Sequence, residues 1–489
     1  MCISELIALF EHETRAILHV NSEHLEYFLI FGTMNISRNI EQIFKKLIPA
    51  PFTLAVLLSL LTIFIAFFFT GDRDGKSMMN ILGYWQEGMW NPPLLVFAVQ
   101  MMLILVLGHV LVLSKPVAWL TRKLTNIVTG NTSAVITVSV STMLVAFFNW
   151  GLGLIFGAIM ARKVGEAARE RGFEINYPLV GAAGYVGLMV WHGGISGSAP
   201  LKASESGHIS SLFSGAREND IINRLPDTIP ASTTIFAEWN LIIFGLLLIL
   251  IPAGLWLLSK STLTTKIDLP EEKREKRNIL IEGAERLDHS KWLNFIFGIL
   301  LLGAFFASYY GDLLNGNLTP NMLNFFMLAL CILLHRSFVS FLNALDEAIG
   351  GAAAILIQFP IYFGIMGIMK ETGIVGDIAG FFSSMATEVS LPVYTFFSAA
   401  LVNIFVPSGG GQWAIQGPIV LESAVKLGVP LNKAVMAFAY GDQISNMLQP
   451  FWALPLLAIT RLKAREILPY TLIMMLIGII VYVAGLLII

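Results

Sequence analysis

The chain has 489 residues, 56% of them hydrophobic and only 13% charged, with a formal net charge of −2 and a mean hydropathy of +0.73. A soluble domain carries roughly 25% charged residues, so this composition excludes a water-soluble enzyme or a nucleic-acid-binding module and points to a polytopic membrane protein. Its two cysteines, Cys2 and Cys331, lie far apart and imply neither a disulfide framework nor a Cys-based metal site.

Residues 1–33, "MCISELIALFEHETRAILHVNSEHLEYFLIFGT", are acidic and lack the basic start, apolar centre and small-residue cleavage site of a signal peptide. They read as a disordered extension or a mis-called start, with a short peripheral helix as the alternative. At Met34 a basic amphipathic lead-in, "MNISRNIEQIFKKLIPAPF", opens toward a first span at 49–69, and a second follows at 93–113. Lys and Arg concentrate on the cytoplasmic side. Arg38, Lys45 and Lys46 therefore place the start of the first span inside, and Lys115, Arg122 and Lys123 return the chain there.

The apolar segment 132–161 is followed by Arg162, Lys163, Arg169 and Arg171, so both of its ends read as cytoplasmic, and "NWGLG" interrupts it at 149–153. A re-entrant hairpin fits both facts. Spans at 177–200 and 233–258 then enclose an outside loop and lead to a charged cytoplasmic loop, 259–290, that contains "EEKREKR". A connecting unit, 291–319, holds a span at 292–310. Spans at 321–334 and 348–369 carry the chain outside, where 391–424 is again broken, by "VPSGGGQWAIQGP". Spans at 433–455 and 466–489 complete the chain, and Arg461, Lys463 and Arg465 between them require the second broken segment to be a hairpin entering from outside. The expected fold is all-α, with about nine full spans and two opposed re-entrant hairpins.

An internal repeat supports this arrangement. "AAGYVGLMVWHGGISGSAPLKA" aligns with "FAYGDQISNMLQPFWALPLLA", pairing Tyr185 with Tyr440 and Pro200 with Pro455; upstream, Asn149 pairs with Asn403 and Gln100 with Gln358. Units 34–258 and 320–489 thus read as inverted repeats, the architecture in which broken helices meet near the midplane of secondary transporters.

Irregular backbone survives at membrane depth only when buried in protein or lining a watery cavity. Ser408, Gly409, Gly410 and Gly411 offer closely approachable N–H groups. The helix beginning at Gln412 aims its positive end at the same place, a combination suited to a small anion. A tight turn between packed helices is the plainer reading. No GxxxxGK[ST] is present, and "GLGLIFG" at 151–157 reads better as close helix packing than as a nucleotide loop. The matching breaks contribute Asn149, Trp150 and Gly151, then Ser196, Gly197 and Ser198, and Asn403 in the second half. Asp442, Gln443 and Asn446 form the expected ion-coupling group. An intramembrane Asp costs on the order of 2.5–3.5 kcal/mol on insertion scales and is a functional candidate by default. Gln100 and Gln358 serve helix packing or ligation equally well. His109 and His192 read as packing or hydrogen-bonding residues before metal ligands, and Trp150 and Trp413 as walls for a short acyl chain or as core.

The stretches "VPSGGGQWAIQGPIVLESAVKLG", "KAVMAFAYGDQISNMLQPFWALPLLAI", "FAVQMMLILVLGHVL", "NWGLGLIFGAIMAR" and "GGISGSAPL" resemble the bacterial short-chain fatty acid (acetoacetate/butyrate-type) transporter family, from about Met34 to the C-terminus. His192 stands where that pattern leads one to expect a small residue. The resemblance implies a multi-pass inner-membrane carrier of small monocarboxylates, within the broad group of hairpin-containing ion transporters. The expected function is uptake of short-chain fatty acids by secondary transport coupled to H⁺ or Na⁺, with no cofactor beyond the coupling ion and, by analogy alone, a homodimer in the bilayer. The alternatives are a passive anion channel and, less consistent with the residues, a redox subunit with His109 and His192 as haem ligands.

Overall fold

A computed structural model describes residues 49–69, 78–213, 224–266, 283–314 and 319–488; the N-terminal extension expected at 1–33 lies outside them. The first half comprises α1 (Pro51–Phe69), α2 (Met78–Met89), α3 (Pro92–Leu113), α4 (Lys115–Asn126), α5 (Asn131–Phe148), α6 (Trp150–Arg171), α7 (Tyr177–Ala183), α8 (Ser198–Ser204), α9 (His208–Leu212) and α10 (Glu238–Ser261). After the short α11 (Glu285–Asp288) and α12 (Lys291–Leu314) come α13 (Pro320–His335), α14 (Phe338–Ile349), α15 (Ala353–Glu371), α16 (Ile374–Ser384), α17 (Leu391–Phe405), α18 (Gly409–Leu427), α19 (Leu431–Ser445), α20 (Pro450–Thr460) and α21 (Ala464–Ile488). Among the described residues there is no strand, only an isolated bridge between Ile175 and Thr265. The protein is an all-α multi-pass membrane protein.

Among the described residues, six helices are long and apolar enough to cross a bilayer: α1, α3, α5, α10, α12 and α21. Five of them are expected full spans, and the sixth, α5, is the first arm of the first broken segment. The other expected spans are α13, α15 and two interrupted segments, 177–204 and 431–460. In the first of these, α7 passes through a 3₁₀ turn (Val186–Met189) and non-helical backbone before α8; in the second, a 3₁₀ turn (Asn446–Leu448) separates α19 from α20. Besides the short α9 and α11, which fall in expected loops, four helices were not foreseen: α2, α4, α14 and α16. Each of these four has 11 or 12 residues, too short to register as a span.

Both broken segments turn back on themselves, and they do so at opposite ends of one helix. The side-chain oxygen of Asn131, at the start of α5, accepts from Asn176 N–H just beyond α6 at 2.9 Å, and Arg171 Nη2 donates to Thr125 O at 2.5 Å. The first segment therefore returns to the side it left. Asn131 Nδ2 also donates to Ser259 O at the C-terminal end of α10. In the second segment Leu391, Leu421, Ala424 and Val429 share one core cluster, so the outer ends of α17 and α18 lie together. Asn432 Nδ2 then donates to Thr233 O, just before the N-terminal end of α10. With 24 residues rising about 1.5 Å each, α10 holds the two hairpin bases about 36 Å apart. The hairpins are opposed.

The helix order of the first half recurs in the second, with α12 as the extra element between. The halves also interlock. Helix α3 packs against α13 and α14, and its counterpart α15 packs against α1 and α2. Likewise α6 of the first hairpin packs on α20, and α18 of the second on α8. Small residues permit close packing: a Cβ on Gly88 in α2 would lie 2.4 Å from Phe363 O in α15, and one on Gly157 in α6 would lie 2.0 Å from Gly184 O at the end of α7. "GLGLIFG" is thus a packing surface.

Candidate functional site

The second hairpin tip is built by its own cap. Helix α17 stops at Phe405, and Ser408, in extended conformation, caps α18 by accepting from Gly411 N–H at 3.2 Å. The first N–H groups of a helix have no acceptor within it. With Gly411 capped, those of Gly409 and Gly410 are left for another partner. The three glycines differ in what they face. A Cβ on Gly409 would lie 2.8 Å from both His192 Cε1 and Trp191 Cη2, whereas one on Gly410 would meet nothing nearer than Ser198 Cβ at 3.8 Å. Gly410 is exposed, and Ser198, half-exposed beside it, makes no side-chain hydrogen bond among the described residues. This corner therefore presents two backbone N–H groups and a hydroxyl.

The first tip is stitched to the break at 190–197. Trp150 N–H donates to Ser196 Oγ at 2.9 Å, Ile195 N–H donates to Phe147 O at 2.8 Å, and Asn149 caps α6 by accepting from Leu152 N–H at 2.9 Å. Gly197 is required by the turn itself, since a Cβ there would lie 2.0 Å from His192 O. Trp191 joins the two tips: its ring centre is 5.9 Å from that of Trp150, it stacks on His192 at 4.3 Å, and its buried Nε1–H has no partner.

Behind the glycine tip lies a fully buried ionisable pair. His192 Nδ1 is 2.5 Å from Asp442 Oδ2. Ala199 N–H donates to His192 Nε2 at 2.9 Å, so that nitrogen carries no proton. A neutral imidazole has one N–H, which is therefore on Nδ1 and donates to Asp442 Oδ2. The other carboxyl oxygen, Asp442 Oδ1, is buried without a hydrogen-bond partner. Buried polar groups are normally satisfied, so this oxygen marks a place where a proton or cation would be welcome. With both ring nitrogens engaged, His192 is unsuited to be an axial haem ligand.

The remaining expected site residues divide by function. Asp442 and Gln443 lie in the last turn of α19 rather than in the break itself, which begins at Asn446. Gln443 Oε1 accepts from His192 N–H (2.7 Å) and Gly193 N–H (3.2 Å), while its Nε2 donates to Tyr482 OH at 2.7 Å. It docks one half on the other. Asn403 Nδ2 reaches Asp442 O, Ser445 Oγ and Asn446 Oδ1 at 2.8–2.9 Å. That network ties the second tip to its neighbouring break. Gln412 donates to Ala399 O at 2.9 Å and Gln416 Oε1 at 3.0 Å, leaving its own buried Oε1 unpartnered. Gly151 and Trp150 border a small apolar space with Phe359 and Trp452. Trp413 is core, with its Nε1–H donating to His208 Nε2 at 3.2 Å. Gln100 bridges to Asn321 at 2.8 Å as helix packing.

The structure thus gathers Ser198, Ser408, Gly409, Gly410 and Asp442 around one corner, and adds Trp191 and His192 to them. Trp191 was not foreseen, and His192 was read without its partner. The mismatch of a histidine in a run of small residues was the only signal for it; nothing local pairs positions 192 and 442.

A family model described as "Short chain fatty acid transporter" matches residues 33–489. The chain is 37% identical over 458 residues to an Escherichia coli K12 protein named "Putative short-chain fatty acid transporter", covering 92% of this chain and 98% of that one. A Haemophilus influenzae protein of the same name is 35% identical over 448 residues, covering 89% and 95%. Among solved structures, the Alcanivorax borkumensis YdaH transporter aligns over 90% of this chain and 98% of its own, at 14% identity and a TM-score of 0.42. MtrF of Neisseria gonorrhoeae, described among antimetabolite efflux pumps, aligns over 90% and 96%, at 14% identity and a TM-score of 0.40.

Proposed function

This chain belongs to the short chain fatty acid transporter family, and from that membership we propose that it takes up small monocarboxylates across the bacterial inner membrane by H⁺-coupled secondary transport. The substrate carboxylate binds the N–H groups of Gly409 and Gly410 and the hydroxyl of Ser198, at the positive end of α18. Trp191 walls the acyl chain. The coupling proton binds Asp442 Oδ1.

The observation that carries the coupling is the fixed tautomer of His192. Because Ala199 N–H occupies Nε2, a second proton on the imidazole would set two donors against each other. The proton therefore goes to the carboxyl group. With Asp442 ionised, the buried pair holds an uncompensated negative charge, which is costly in low dielectric; protonated, it is neutral and that cost is gone. The His192 ring also contacts the glycine that begins the substrate tip, so occupancy of one position is felt at the other. Carrying one proton with one carboxylate moves no net charge.

Proteoliposomes test this directly. An inside-alkaline pH gradient without Na⁺ is expected to drive accumulation of labelled butyrate, and acetate or acetoacetate to compete. Asp442→Asn mimics the protonated form and is expected to keep butyrate counterflow while losing accumulation at least tenfold. Accumulation that follows a Na⁺ gradient at fixed pH, or an Asp442→Asn variant with unchanged proton-driven uptake, would overturn the reading.

A further inference from the structure

Away from the hairpin tips, a cavity of about 490 Å³ opens between α3, α6, α15 and α20, closed at one edge by the end of α14. Its wall carries Arg162, Lys163 and Arg461 against Glu166 and Glu347, three cations to two carboxylates. Arg162 Nε and Lys163 Nζ both donate to the single carboxylate of Glu166, at 2.8 and 2.7 Å. The lining also includes His109 and the apolar side chains of Leu105, Ile159 and Ile459. A lining that combines an excess of positive charge with apolar side chains matches a ligand with a carboxylate head and a short hydrocarbon tail. Concave, mostly apolar spaces of 300–1,000 Å³ with a few placed charges are the usual form of small-molecule sites.

The cavity also leads somewhere. Descending α6 from Arg162 to Trp150 covers 12 residues, about 18 Å, and descending α20 from Arg461 to Trp452 covers 9, about 13 Å. Both descents end in one aromatic cluster. The rings of Trp150 and Trp452 meet at 5.4 Å, and Phe97 lies 6.3 Å from Trp150 and 6.2 Å from Trp452. Beyond Trp150 comes Trp191, and then His192. The cavity and the Ser198–Gly410 corner are therefore two ends of one line through the protein, with a seal of three rings between them.

We infer that the cavity walled by Arg162, Lys163 and Arg461 is a second binding station for small organic carboxylates, on the side where both ends of the first hairpin emerge. The substrate class rests on the function proposed above; the station itself rests on the cavity. Its positive excess concentrates the anion there, ahead of the ring seal.

The test uses a probe inside the station. Ala458 lines the cavity and is half-buried. In a chain with Cys2 and Cys331 replaced by serine, Ala458→Cys is labelled with a charged thiol reagent in detergent, with and without butyrate. Butyrate is expected to slow labelling at least threefold, and butyramide, which lacks the charge, to have no effect. Protection should survive Ser198→Ala, which weakens the tip site, and disappear in Lys163→Gln combined with Arg461→Asn; asparagine accepts the left-handed backbone at position 461 (φ 60°). That pair should also raise KM for butyrate severalfold from the cavity side only. Equal labelling with and without butyrate in a protein that still accumulates butyrate would overturn the station alone. No protection and no butyrate transport would overturn the substrate class. Protection by butyramide as strong as by butyrate would reduce the cavity to an apolar void.

Discussion

His192 and Asp442 come from opposite halves of the chain, 250 positions apart, and meet at 2.5 Å in a spot where neither side chain is more than 1% exposed. The pair is at once a joint between the two halves and an ionisable contact beside the glycine tip. A thermodynamic cycle separates those roles. His192→Ala strands Ala199 N–H and Asp442 together, and an orphaned buried group costs about 1–3 kcal/mol, more when charged. The double variant with Asp442→Asn removes the charge that would be stranded. It is expected to be less destabilised than the sum of the two single changes by about 1 kcal/mol or more. Thermal unfolding of the four purified proteins measures this, and additivity would mean that the contact carries no energy.

The three glycines of the tip should not be equivalent. Alanine at Gly409 would press against Trp191 and His192 at 2.8 Å, and overpacking of this kind costs about 1–3 kcal/mol. Gly409→Ala is expected to lower both stability and butyrate affinity. Gly410→Ala, with its nearest neighbour at 3.8 Å, should leave stability unchanged. Equal melting temperatures for the two variants would contradict the close approach at Gly409.

Topology is checked with exposed positions flanking each hairpin. Single cysteines at Thr129 and Glu170 should react with a membrane-impermeant maleimide from the cytoplasmic side. Cysteines at Glu388 and Lys426 should react from the other side. All four residues are exposed, so reactivity reads sidedness and not burial. A pair that splits across the membrane would turn that hairpin into a through-span.

Helix α9 carries a pH-dependent contact with α18. Burial first, and Lys202 second, hold His208 below its ordinary value of 6.5. The folded state therefore prefers the neutral ring, whose Nε2 accepts from Trp413 Nε1–H. The sign follows from linkage: the contribution is complete above pH 6.5 and is lost as pH falls through the lowered folded value. Acidification below pH 6.5 should change the tryptophan emission assigned to Trp413 by comparison with Trp413→Phe, and His208→Gln should weaken that pH response. An identical response in His208→Gln would place the effect elsewhere.

Much of this fold was legible because lipid leaves few choices. Apolar runs marked the long helices, and basic residues marked where segment 132–161 returns, which the bonds of Asn131 to Asn176 and Ser259 bear out. Helices α2, α4, α14 and α16 escaped notice because their lengths fall below that of a span. At the site, the glycine tip and Asp442 announced themselves by their cost at membrane depth. The partners of Asp442 did not. Whether an amide such as Gln443 binds an ion or clamps backbone depends on which N–H groups a distant segment brings to it, and no local pattern records that.

The exchange of neighbours between α3 and α15 has a consequence for how the protein is made. Helix α3 leaves the ribosome long before α13 and α14, the helices it packs against, exist. Until then the amide of Gln100 and the carbonyl of Leu107 face lipid or a chaperone instead of Asn321 and Cys331. The first half is thus a waiting intermediate, complete only when synthesis is nearly over. Two fragments divided between residues 266 and 283 and expressed together should assemble, whereas the first fragment alone should be degraded by membrane quality control.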